Sequence, residues 1–203
     1  MSGSPSGADP SNGWDAVAPV FIRQARTSSI GVGVVTDWVG RLPAGCTVLD
    51  LGCGPGGPRS EPLHARGEVF AIDAAPSLAR AYQQRFPAAR VACEAAETSR
   101  LFERSFDGVL AWGLLFLVSS EAQQEIITRV AHVLRPGGRF LFTAPWQAVT
   151  WPDLSTGRPS LSLGRPAYRA LLAEAGLTLV DEYQDEGENH YFEAAKAGRL
   201  QRP

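Results

Sequence analysis

Apolar runs and amphipathic stretches alternate along most of this chain, and their alternation predicts its elements. Val48, Leu49 and Leu51 read as a buried parallel strand, and Val69 to Asp73, VFAID, as a second. Arg90 to Glu94, RVACE, gives a short third strand with an acid at its tip. Phe106 to Val118, FDGVLAWGLLFLV, supplies the fourth strand and the turn beyond it, and Phe140 to Ala144 the fifth. Helical spacing fills the gaps. Ser60 to Ala65 is a short helix restricted by Pro58 and Pro62, and Ser77 to Phe86 turns Leu78, Ala81, Tyr82 and Phe86 inward until Pro87 stops it. A third helix, capped by Ser119 or Ser120, carries Ala122, Ile126, Ile127, Val130, Val133 and Leu134 on one face and stops at LRPGG.

The flanks follow other patterns. Residues 1–12 are rich in Ser, Gly and Pro and offer little apolar surface to offset ordering, so a disordered tail is expected before a single domain over 13–203. Trp14 to Ala25 reads as an amphipathic helix bent or split at Pro19, and Ile30 to Leu42 as a more regular one. Residues 145–164 show no clear period, and their length suggests a segment folded over a pocket. Arg165 to Ala175 is a helix ended by Gly176, and Leu177 to Tyr183 and Asn189 to Ala195 are two strands joined by a turn.

The chemistry gathers where the first strand breaks. VLDLGCGPGG places Asp50 inside the strand end and Gly52, Gly54, Gly56 and Gly57 in the turn, where the backbone must reverse and admit a ligand closely. Asp73, ending the second strand, suits a ribose whose two hydroxyls both donate to it. Gly52, Gly54 and Gly57 also satisfy G-x-G-x-x-G, which keeps an NAD(P)-dependent oxidoreductase open. The longer pattern D-x-G-x-G-x-G, met by Asp50, Gly52, Gly54 and Gly56, resembles motif I of the class I S-adenosylmethionine-dependent methyltransferases. The LRPGG turn before the fifth strand and the closing hairpin resemble the same family, so the likeness runs from about Ile30 to Lys196.

That resemblance implies an α/β protein with a Rossmann-like methyltransferase fold: a mostly parallel seven-stranded sheet, helices on both faces, a C-terminal antiparallel hairpin, and the fourth strand beside the first. It implies S-adenosyl-L-methionine as cofactor, held by Asp50, Gly52, Cys53, Gly54, Gly56, Asp73 and Ala74. At the third strand's tip, where the family commonly reads Gly-Asp-Ala, this chain has Cys93, Glu94 and Ala95. Glu94 takes the adenine role there, with Glu97 as the alternative register. Trp112 and Leu117, after the fourth strand, complete the cofactor set. On the acceptor side the family's habits point to Trp14 and Phe21 from the N-terminal segment, Trp146 and Trp151 from the insertion, and Tyr191. His190 is the candidate general base, and a base matters only for a hydroxyl or a protonated amine.

Composition narrows partners. The chain has 203 residues and a formal net charge of -2, so no global positive field draws it to nucleic acid or an anionic membrane. No apolar run reaches a spanning length and the N-terminus lacks a signal peptide's apolar centre, so a cytoplasmic location is the default expectation. Three cysteines, Cys46, Cys53 and Cys93, have no paired ligand spacing, and no metal is expected. Trp112-Gly113-Leu114 replaces the Pro-Pro-aromatic signature of many nucleic-acid base N-methyltransferases. No cysteine follows the fourth strand for attack on cytosine carbon, and Ala111 and Trp112 give no metal ligand of the catechol type. There remains a small-molecule acceptor methylated on oxygen or nitrogen, or a catalytically silent S-adenosylmethionine-binding protein of the same fold. Oligomeric state is not encoded in these patterns.

Overall fold

A computed structural model describes residues 9–198. The sheet is built from β1 (Cys46–Leu51), β2 (Gly67–Asp73), β3 (Arg90–Cys93), β4 (Phe106–Ala111), β5 (Leu134–Thr143), β8 (Leu177–Gln184) and β9 (His190–Lys196), in the order β3-β2-β1-β4-β5-β9-β8. The five strands β3, β2, β1, β4 and β5 are parallel, and β9 enters antiparallel to β5 with β8 outside it. Strand order reverses between β1 and β4, so their carboxyl ends splay apart and leave a crevice.

Alternation along the strands sorts the helices into layers. Val48, Val69 and Leu110 face one side, where they meet Val35, Trp38 and Val39 of α2 (Val32–Gly40) and Leu63 of α3 (Glu61–Arg66). Ala71, on the same side of β2, packs on Tyr82 of α4 (Pro76–Arg85). Leu49, Phe70, Val109 and Phe140 face the other side, against Ile126, Ile127 and Val130 of α5 (Ser120–Val133) and Tyr168 and Leu172 of α6 (Arg165–Glu174). Each such buried aliphatic or aromatic side chain contributes about 1.5–3 kcal/mol relative to leaving it in water. The expected seven strands, two helical faces and terminal hairpin are all present.

Four departures from the sequence reading are local. Residues 1–8 of the expected tail lie outside the described residues, whereas Asp9 to Asn12 form a turn in which Asp9 Oδ1 accepts from the amide and hydroxyl of Ser11 at 2.9 and 2.7 Å. Helix α1 (Trp14–Ala25) runs unbroken through Pro19, whose ring sits on the exposed side. Strand β5 starts at Leu134: Leu134 pairs with Phe106, Arg139 pairs with Gly108, and the intervening RPGG bulges from the ladder. The segment after β5 is a two-stranded hairpin, β6 (Ala148–Pro152) and β7 (Pro159–Leu163). Its pattern was unreadable because it is inverted: Ser160 and Ser162 are buried, while Leu161 and Leu163 are half-exposed.

Candidate cofactor and acceptor site

The crevice at the ends of β1, β2 and β4 is a cavity of about 250 Å³, close to the lower bound of ligand pockets, roughly 300 Å³. Its floor is the glycine turn. Gly52 and Gly54 have φ of 70° and 58°, and a Cβ on Gly52 would stand 2.9 Å from Leu114 Cβ. Side chains there would strain the backbone and fill the space over it.

Two carboxylates wall the floor. Asp73 Oδ2 accepts from the Gly54 amide at 2.8 Å and Oδ1 from the Ala75 amide at 2.8 Å. A carboxylate offers about four acceptor positions, so it retains acceptor capacity for a ligand's hydroxyls. Asp50 is nearly buried and its Oδ2 accepts from Ser60 Oγ at 2.9 Å and Tyr82 Oη at 3.1 Å. Burial raises both acids to about 6, against the pull of the hydroxyl donors at Asp50 and of the Ala75 and Gly54 amides at Asp73. Each is therefore poised to ionise fully when a cation or a set of donors arrives.

Of the expected cofactor positions, Asp50, Gly52, Cys53, Gly54, Asp73 and Ala74 line the cavity, and so do Glu94, Ala95, Trp112 and Leu117. Glu94 and Glu97 both reach the lining, so the two registers for the adenine acid remain side by side. Gly56 stands apart. Its Cβ position points at Phe86 Cε2, 2.8 Å away, and Tyr82 Cδ2, 3.0 Å away, so it serves the packing of the turn on α4 and does not line the cavity.

On the acceptor side, Trp14 and Phe21 line the cavity and pack edge to face at 4.9 Å. Trp146 and Trp151 do not line it. Trp146 stacks on His190 at 4.0 Å, and Trp151 touches the lining through Phe116, 5.6 Å away. His190 is likewise outside the lining, and its Nδ1 accepts the Trp146 amide at 3.2 Å; that ring nitrogen is taken up by structure, which leaves no geometric support for a base. Tyr191 is fully buried behind the wall, its hydroxyl accepting from Trp112 Nε1 and donating to Asp185 Oδ2, both at 2.7 Å. It backs the pocket through Trp112 and is not part of the lining.

Sequence reading missed Arg59, Ser60 and Tyr82, and it missed the roof. Asn12 lines the cavity and donates to the Leu117 carbonyl at 2.7 Å, and Asp153 reaches the lining from the end of β6. None of these had a local signal, because each is placed by contacts between distant segments. His64 stacks on Phe86 at 3.9 Å, and burial lowers it to about 4. Among the described residues no group of three or more His, Cys, Asp or Glu side chains is placed to hold a metal. No helix among them is long and apolar enough to cross a membrane.

A glycine-floored, acid-walled cavity at the switch point of a parallel sheet closed by an antiparallel hairpin defines the Rossmann-like methyltransferase fold. Residues 48–138, from the glycine turn through LRPGG, match the family model described as a methyltransferase domain. Sarcosine/dimethylglycine N-methyltransferase of Aphanothece halophytica is 28% identical over 190 residues, covering 85% of this chain and 66% of that protein. The cypemycin N-terminal methyltransferase of a Streptomyces species is 35% identical over 115 residues, covering 54% of this chain and 46% of that one. The chain thus spans just under two thirds of the first curated relative and less than half of the second. Among solved structures, 1,6-didemethyltoxoflavin-N1-methyltransferase of Burkholderia thailandensis, with 1,6-didemethyltoxoflavin and S-adenosylhomocysteine bound, superposes with a TM-score of 0.67 at 21% identity, covering 97% of this chain and 93% of that one.

Proposed function

We propose that this protein is an S-adenosylmethionine-dependent methyltransferase whose acceptor is a small organic molecule, methylated on oxygen or nitrogen. The observation that carries the reading is Asp73, a carboxylate held by two backbone amides beside a bare glycine turn, with acceptor capacity left for a vicinal diol. S-adenosylmethionine would supply a methyl group on a positive sulfonium, which is already an excellent leaving group. The residues present fit it: Asp73 for the ribose, Glu94 or Glu97 for the adenine, and Asp50 with Gly52 on the side of the amino-acid end.

The chain's own contribution is then positional. Trp14, Phe21, Trp112 and Phe116 give the cavity apolar and aromatic walls that exclude water and favour a cation. Alignment of acceptor and methyl in such a dry site supplies most of the rate, and no base among the histidines is required. The relatives named for sarcosine and dimethylglycine and for a peptide N-terminus support an amine acceptor as readily as a hydroxyl. The net charge of -2 speaks for a small acceptor over nucleic acid. Residues 13–203 act as one domain in this reading.

Titration calorimetry with S-adenosylhomocysteine and, separately, NAD tests it. Binding of the former and not the latter is expected, and Asp73→Ala should weaken it by about 1–3 kcal/mol because the ribose hydroxyls lose a charged acceptor. Uptake of NAD alone would replace the reading with an oxidoreductase. Turnover of the labelled methyl group by an acceptor panel then separates an enzyme from a silent binder.

A further inference from the structure

Among the described residues Arg59 is the only cationic side chain lining the cavity, which it shares with Asp50, Asp73, Glu94, Glu97 and Asp153. No carboxylate among the described residues lies within ion-pair distance of it. Its guanidinium lies over Trp112, 3.6 Å from the ring centroid, and one N–H donates to the Ile30 carbonyl at 3.2 Å. Stacking occupies a face of the guanidinium and leaves its donor edges. A guanidinium has five N–H donors in a planar fork that matches a carboxylate.

The platform beneath Arg59 is itself fixed from the far end of the chain. Trp112 Nε1 donates to Tyr191 Oη, and Tyr191 donates to Asp185 Oδ2. Asp185 Oδ1 accepts the amides of Gly187 and Asn189 at 2.9 Å, so the turn between β8 and β9 anchors the series. Gly31 completes the fit: a Cβ there would stand 2.3 Å from Tyr191 Oη and 3.2 Å from Trp112 Nε1. The indole plane, and with it the direction of the fork, is set before any ligand enters.

We propose that Arg59, presented on Trp112 and aligned through Tyr191 and Asp185, is a carboxylate-binding subsite of this cavity. The inference rests on the methyltransferase reading of the same site. Two ligands there offer the same chemistry: the amino-acid end of the cofactor, and an acceptor that itself bears a carboxylate.

The experiment compares wild type, Arg59→Met, Arg59→Lys and Tyr191→Phe by calorimetry. The probes are S-adenosylhomocysteine and 5′-methylthioadenosine, a nucleoside thioether that lacks the amino-acid end. If the cofactor's carboxylate occupies the subsite, Arg59→Met weakens S-adenosylhomocysteine by about ten- to a hundredfold and leaves methylthioadenosine unchanged. Arg59→Lys should recover part of that loss, since it keeps the charge without the fork. Tyr191→Phe should show a smaller loss confined to the same ligand, whereas a general folding defect would weaken both.

If instead the acceptor's carboxylate is bound, both nucleosides bind all variants alike. Glycine and N-methylglycine, but not their carboxamides, then bind the S-adenosylhomocysteine-loaded wild type and fail to bind Arg59→Met. Either pattern supports the subsite. Equal binding of every probe by wild type and Arg59→Met, or no carboxylate-dependent binding at all, overturns it. A wild type that takes up neither nucleoside overturns the methyltransferase reading as well, so the two failures are told apart.

Discussion

At the scale of single residues, the two acids at the strand tips carry the sharpest expectations. Asp50 and Asp73 sit near 6 in the folded protein and near 3.8 when unperturbed, because burial disfavours their charge. Between those values the folded state holds more protons than the unfolded one, so these groups make the ligand-free protein more stable as pH falls from 7 towards 4. Ligand binding has the opposite sign. The ligand's hydroxyl and ammonium donors favour the ionised acids, so S-adenosylhomocysteine affinity should hold above pH 6 and fall below it, with protons released on binding near pH 6. Calorimetry across pH 5 to 8 in buffers of different ionisation enthalpy reads both effects. A pH-independent affinity would show that these carboxylates do not face the ligand. Gly56 makes a contrasting case. Gly56→Ala forces a Cβ against Phe86 and Tyr82 at a φ of 68° and should cost about 1–3 kcal/mol of stability. A thermal melt would show the loss, while the affinity of the remaining folded protein should stay close to wild type.

At the scale of elements, what was legible in the sequence followed from burial. Strands β1 and β4 lie in the middle of the sheet with both faces covered, so they read as mostly apolar runs, and the glycine turn after β1 carries its own signature. Most positions expected for the cofactor sit at the ends of β1, β2 and β4 and line the cavity. The hairpin β6–β7 was not legible, because its apolar positions face half outward and its inward positions are Ser160 and Ser162. Ser162 Oγ donates to the Pro145 carbonyl at 2.7 Å and accepts the Gly164 amide at 3.2 Å. Ser162→Ala strands both groups and should destabilise the protein by about 1–3 kcal/mol, measurable by denaturant unfolding. An unchanged midpoint would mean that water replaces the hydroxyl. The expected acceptor residues Trp146 and Trp151 fell to the same cause: an insertion read as loop gives no face, so neither ring's direction could be assigned.

At the scale of the whole molecule, the far half of the sheet is locked by one buried acid. Glu193 of β9 has no exposed side-chain surface, and it accepts from Arg41 at 2.7 Å, from Arg139 at 2.5 Å and from the Tyr183 hydroxyl. Arg41 follows α2, Arg139 lies on β5 and Tyr183 on β8, so this carboxylate ties four segments across one face. The cost of removing one partner of a buried pair, about 3–5 kcal/mol, is an upper bound here because both arginines are partly solvated. Arg139→Met should therefore destabilise by less than that, and the double change with Arg41→Met by more than the sum of the singles, since the last compensating cation disappears. Additive losses would show that Glu193 is already neutralised by other means.

The placement of β9 has a consequence for the order in which the protein comes into being. This strand is made after every other one in the sheet, yet it is seated between β5 and β8 and carries Tyr191, which fixes the indole beside the cavity. A nascent polypeptide on the ribosome would thus display a glycine turn and an acid long before its aromatic wall was set. The cavity should therefore take up S-adenosylhomocysteine only once β9 has emerged and been seated.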